Sequence, residues 1–120
     1  MQRIKNLSDI PAFRAADGTR LREVIHPAND SVSLPYSLAH ASLNPGERSL
    51  PHILDNDEVY AFLSGEGDFN RGSESFRVQA GDHVLVPSGE VQAVQNTGDV
   101  PLVFYCIVAP PWSSGSDRLV

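Results

Sequence analysis

His52 and Glu58 stand six residues apart across an Asp55-Asn56-Asp57 turn, and Gln92 lies in a second stretch of similar texture further along. An imidazole, a carboxylate and an amide oxygen make one nitrogen donor and two oxygen donors. That mixture suits a divalent transition metal (Fe, Mn, Ni or Zn) with coordination positions left open. Alternation along the run from Glu58 puts Glu58, Tyr60 and Phe62 on one face and Val59, Ala61 and Leu63 on the other. Both faces are substantially apolar, so a carboxylate buried there must be hydrogen-bonded, paired or metal-bound. Each residue also has an ordinary reading: a solvated loop histidine after Pro51, a strand-end carboxylate facing water, and an amide satisfied by backbone. Spacing alone leaves both readings open.

The elements that must position these groups are short and extended. Nine Gly and nine Pro punctuate β-rich runs, while no window keeps helical periodicity without a Pro or Gly interruption. Asp17-Gly18-Thr19 leads into Leu21 to Ile25, and Ser33 to Leu43 is a second stretch closed by Asn44-Pro45-Gly46. A hairpin is expected across Arg71-Gly72. Strands at His83 to Val86, Val91 to Gln95 and Leu102 to Val108 follow, separated by turns. An all-β domain results, with a short peripheral helix near Leu7 to Arg14 as the one helical candidate. Ala109-Pro110-Pro111-Trp112 reads as an extended strap with a loose serine-rich end, because neither proline can donate to a ladder. Residues 1–120 are expected to form one domain, with a barrel core over about 20–109 and a strap or tail over 110–120.

Composition narrows the partners. At 41% apolar and 20% charged residues the chain reads as an ordinary globule, and its net charge of −6 offers no basic stripe for phosphate backbones. No apolar run approaches the roughly 20 residues that cross a bilayer, and the opening residues lack a signal-peptide core. A cytoplasmic protein that binds neither nucleic acid nor membrane is expected. The lone Cys106 cannot form an internal disulfide, so stability must come from packed apolar surface or a second copy.

Two patterns carry a resemblance. Gly46, His52, Glu58 and Gly65, then Gly81, Pro87, Gly89 and Asn96, fall at the spacings Gly-x5-His-x-His-x3-4-Glu-x6-Gly and Gly-x5-Pro-x-Gly-x2-His-x3-Asn. These resemble the two motifs of small single-domain cupins, from Ser37 to about Trp112. The resemblance implies a double-stranded β-helix, a jelly-roll barrel holding its ligand between two sheets. It also implies a homodimer, which would suit otherwise exposed edges. The chain is a variant of the pattern: Leu54 stands where cupins place the second histidine of the first motif, and Gln92 where they place the histidine of the second.

The resemblance implies a metal site at His52, Glu58 and Gln92, weaker for the loss of two imidazoles. Cupin strands in the position of Ser33 to Leu43 turn alternate residues, starting at Ser42, into the lumen, which would point His40 inward as a ligand or as a substrate-positioning group. Tyr60, on the Glu58 face, would enter the cavity as a proton-moving or substrate-orienting residue. A metal-binding cupin acting on a small organic metabolite is therefore expected, its reaction left open. The alternative is a non-catalytic barrel that binds or senses a small molecule.

Overall fold

A computed structural model describes residues 4–120. Among the described residues there are eleven strands, one 3-10 turn toward each end and a single turn of α-helix. In order they are β1 (Phe13–Arg14), β2 (Arg20–Ile25), α1 (Pro27–Asp30), β3 (Ser37–Leu43), β4 (His52–Leu54), β5 (Asp57–Ser64), β6 (Glu66–Arg71), β7 (Glu74–Gln79), β8 (His83–Val86), β9 (Val91–Asn96), β10 (Leu102–Ala109) and β11 (Asp117–Leu119).

The strands form two antiparallel sheets. One runs β1-β2-β3-β10-β5-β8 and the other β11-β4-β9-β6-β7. This is the expected jelly roll, in which sequence neighbours often sit in opposite sheets: β4 pairs with β9, and β5 with β8 and β10. The expected hairpin is β6-β7, closed by Gly72-Ser73 with Gly72 at φ 58°.

The sheets meet over the side chains that alternation turns inward. Leu43, Phe62, Phe69, Val78, Val94, Leu102 and Phe104 are all buried in one cluster. Aromatic rings dominate it, with Tyr60 edge-on to Phe69 at 4.8 Å and Phe62 tilted on Phe104 at 5.2 Å. This packing fills the half of the barrel where β3 ends and β10 begins. A close approach of the β6 and β9 backbones tightens it: a Cβ on Gly67 would sit 2.2 Å from the Gln95 carbonyl, so only glycine fits.

Both chain ends differ from expectation. The N-terminal helix is only a 3-10 turn, Leu7–Asp9, capped by the Asn6 side chain. Pro11 stops it, lacking a donor and disfavouring helical backbone at Ile10. The tail is not loose. Beyond the Pro110-Pro111 strap, Ser114–Ser116 turns the chain and β11 pairs with β4, closing the edge of the smaller sheet. Among the described residues no helix is long and apolar enough to cross a membrane.

Candidate functional site

The half of the barrel left unfilled by aromatic rings holds a cavity of about 300 Å³. Its walls are the inward residues of β3 (Ser37, Ala39 and Ala41) and of β10 (Phe104, Cys106 and Val108), with Glu58 and Tyr60 from β5, His52 and Leu54 from β4, and Val94 from β9. Small residues on β3 explain the space, since alanine and serine face the larger β10 side chains across the ladder. The mouth is built from both chain ends, by Phe13 to Asp17 on one side and Trp112, Ser114 and Asp117 on the other.

His52 opens β4 opposite Gln92 of β9 and is 4% exposed. Its Nδ1 lies 2.9 Å from the Leu50 carbonyl. A carbonyl only accepts, so Nδ1 carries a proton, and the neutral tautomer of the ring has its lone pair on Nε2. Asp17 Oδ2 stands 3.6 Å from the same Nδ1 and steadies that tautomer. The turn between His52 and Glu58 is held by Asn56, whose Nδ2 donates to the Pro110 carbonyl at 2.7 Å.

Glu58 is buried at the start of β5, and its Oε1 has no hydrogen-bond partner among the described residues. Burial pushes its carboxyl up to about 8, and Asp17 and Asp117 push the same way against hydrogen bonds with Cys106 and Gln92. The group is thus a neutral acid at pH 7, able to give or take a proton near physiological pH. Tyr60 donates its hydroxyl hydrogen to Gln92 Oε1. Burial, with Glu58 and Cys106 adding repulsion, holds the phenol well above its ordinary range. Burial and Glu58 likewise raise the Cys106 thiol. Neither offers an anion, so the proton chemistry of the cavity centres on Glu58.

The structure brings His52, Glu58 and Tyr60 together on the cavity wall. Gln92 is adjacent, 1% exposed behind Tyr60, with its oxygen engaged by the phenol. Leu54 fills the position of the missing histidine with an apolar wall. Among the described residues no three His, Cys, Asp or Glu side chains form a group able to hold a metal ion. His52 and Glu58 are two donors, one short of the three protein ligands usual in catalytic metal sites. The residues present do not fit a resident transition metal.

His40 is a correction. The inward residues of β3 are Ser37, Ala39, Ala41 and Leu43, opposite Val108, Cys106, Phe104 and Leu102. His40 therefore projects from the outer face, edge-on to Tyr105 at 5.3 Å and opposite Arg22 of β2. Burial and the Arg22 charge lower its pKa. The expected parity, begun from Ser42, was off by one residue, and in a strand that reverses every side chain.

Sequence reasoning missed four contributors. Cys106 was readable from alternation with Phe104 and Val108, although its type suggested only a small hydrophobe. Asp17 looked like turn chemistry, and its Oδ1 does accept from Thr19 N at 3.0 Å, but its other oxygen faces His52. Trp112 and Asp117 reach the mouth from the tail, where the Trp112 indole donates to Asp117 Oδ2 at 3.1 Å. Nothing in a serine-rich end announces that. Asn96 has no part in the cavity. Its amide donates to the Leu43 and Val100 carbonyls and its oxygen accepts from Gly98 N, which locks the β9-β10 turn.

Comparison with known proteins agrees with this architecture. A family model for the cupin domain matches residues 23–108. An uncharacterized protein of Methanocaldococcus jannaschii, MJ1618, is 34% identical over 105 residues, covering 87% of this chain and 83% of that protein. An oxalate-binding protein of Thermotoga maritima is 32% identical over 71 residues, or 58% of this chain and 59% of that protein. Among solved structures, that of a predicted oxalate decarboxylase from Thermotoga maritima has a TM-score of 0.78 at 23% identity, covering 89% of this chain and 98% of the other.

Proposed function

This chain belongs to the cupin family, and from that premise we propose that it is a binding barrel for a small organic molecule, using the cavity wall of His52, Glu58 and Tyr60. One observation carries the reading: a buried carboxyl with an unpartnered Oε1 lines a cavity of about 300 Å³ whose other walls are largely apolar. A ligand with an apolar body and a polar head would bury the first against Leu54, Val94 and Phe104. It would present the second to Glu58 and to Nε2 of His52. Tyr60, tied to Gln92, orients rather than reacts. Glu58 supplies one exchangeable proton, so acid-base turnover of the bound molecule is within reach of the same residues without a metal. The protein is further proposed to be a cytoplasmic homodimer, in keeping with its single buried thiol and a bare outer sheet face.

Trp112 is the only tryptophan and stands at the mouth, so its fluorescence reports on occupancy. A neutral aromatic probe, 2-phenylethanol, should change that fluorescence saturably. An Ala39→Phe variant, which fills the cavity from β3, should abolish the change while keeping the cooperative unfolding transition. Elemental analysis of protein purified without chelator should find metal well below one per subunit. Stoichiometric metal that disappears in His52→Ala would overturn the metal-free reading in favour of a metal centre.

A further inference from the structure

The charge of the cavity is one-sided. Asp17, Glu23, Glu58 and Asp117 line it, against a single cation, Arg14. That cation is turned away: Arg14 Nη1 donates to the Gly18 carbonyl at 2.9 Å and Nη2 to Glu47 at 3.4 Å, and its side chain is 55% exposed. No lysine lines the cavity.

The carboxylates are not equivalent. Glu23 accepts from Asn29 Nδ2 at 2.6 Å and Asp117 from the Trp112 indole at 3.1 Å, while Asp17 accepts from Thr19 N and lies near His52. Glu58 is the one buried carboxyl of the four, and the one with a buried oxygen left unpartnered. A buried oxygen left so favours a ligand that brings a donor to it. In acidic surroundings a positively charged donor gains most, because Asp17 and Asp117 repel an anionic head and attract a cationic one. The aromatic faces of Tyr60, Phe104 and Trp112 add to this, being attractive to a cation as well as to an apolar body.

We propose that the ligand of this cavity is an organic ammonium, a primary amine on an apolar body, with its nitrogen on Glu58 Oε1. The proposal rests on the binding reading above and deepens it. It also separates this chain from the oxalate named for its relatives: a dianion entering here would meet the carboxylates of Asp17, Glu23 and Asp117 and no inward cation. Glu58 releases its proton to solvent as the ammonium settles on Oε1, so the contact is a salt link and no bond in the ligand is made or broken.

The test is a titration of the intact protein with four probes near pH 7.5, read by Trp112 fluorescence and by calorimetry. They are phenethylamine, 2-phenylethanol, phenylacetate and oxalate. Phenethylamine is expected to bind at least about tenfold more tightly than 2-phenylethanol, and the two anions not measurably. Glu58→Gln, checked for an intact unfolding transition, should weaken the amine by about tenfold or more and the alcohol by a smaller factor, so that the preference for the amine falls. Asp117→Asn, at the mouth, should weaken the amine by a smaller factor. Phenylacetate or oxalate binding as tightly as the amine would overturn the proposal, as would amine affinity unchanged in Glu58→Gln. Binding of the alcohol with no preference for the amine would overturn it while leaving the binding reading intact. Failure of all four probes would overturn both.

Discussion

Glu58 is where burial and charge conflict most sharply, and the conflict is measurable. In the unfolded chain its carboxyl titrates at its ordinary 4.5, whereas burial in the barrel holds it up to about 8. Between those values the folded state binds the proton that the unfolded state has released. Stability from this group is therefore complete below about pH 4.5 and is lost as pH rises toward 8, by roughly 5 kcal/mol at the upper bound. Glu58→Gln cannot ionise and should escape that loss. Urea unfolding should show the variant more stable than wild type by roughly 3 to 5 kcal/mol at pH 8, with the two converging near pH 4. Parallel curves for the two proteins would mean that Glu58 is not the buried neutral acid described here.

The same residue illustrates what a sequence discloses at this scale. That Glu58 and Tyr60 share an inward face follows from alternation alone. That Tyr60 spends its hydroxyl on Gln92 does not, because the two lie on β5 and β9, in opposite sheets, and meet only once the barrel closes.

Strand parity and register decide which side chains enter the cavity. In β3, β5 and β10 the ladder aligns Ala41 with Phe104 and Phe104 with Phe62, so three strands share one inward set. Most strands were visible as β-branched and aromatic runs between turn residues. β11 was not, since Asp117-Arg118-Leu119 has no alternation of its own and exists by pairing with β4. His40 was misplaced because parity in β3 needs one anchored inward residue, and Ala39 and Ala41 are too small to advertise themselves as core. Gly67 offers a test of how closely the packed half is drawn together. Its absent Cβ would meet the Gln95 carbonyl at 2.2 Å and Leu102 Cδ2 at 2.9 Å. Gly89, by contrast, has φ 87° with nothing within 4 Å. Gly67→Ala should therefore push β6 off β9 and cost roughly 3 kcal/mol or more. Gly89→Ala should cost only the left-handed strain, about 1 to 2 kcal/mol. Equal losses in denaturant unfolding would show that the sheets are not in the close contact described.

At the scale of the molecule, one face of the larger sheet is left uncovered. Ile107, Val59 and Leu85 lie side by side across β10, β5 and β8, with Tyr105, Ala61 and His83 forming the next row. Leu63, Leu85 and Ile107 are 49%, 54% and 38% exposed, and no acidic residue stands in either row. A chain with net charge −6 repels its own copies over most of its surface. This uncharged face is where two copies approach at least electrostatic cost, and related by a two-fold axis it would meet itself. Three strands spaced about 4.8 Å apart, with β3 continuing the sheet beside β10, form the centre of such an interface, which in an ordinary stable dimer buries roughly 800 Å² per partner. The protein should therefore elute and scatter light at twice its 13.0 kDa chain mass. The pair Leu85→Glu and Ile107→Glu, placing two carboxylates on each copy of the face, should convert it to monomer. Since both side chains point away from the cavity, 2-phenylethanol binding should survive in that monomer. A wild-type protein that remains monomeric at about 100 μM, where contacts of this size are normally formed, would remove the face as a self-association surface. A double variant that stays dimeric would place the interface elsewhere.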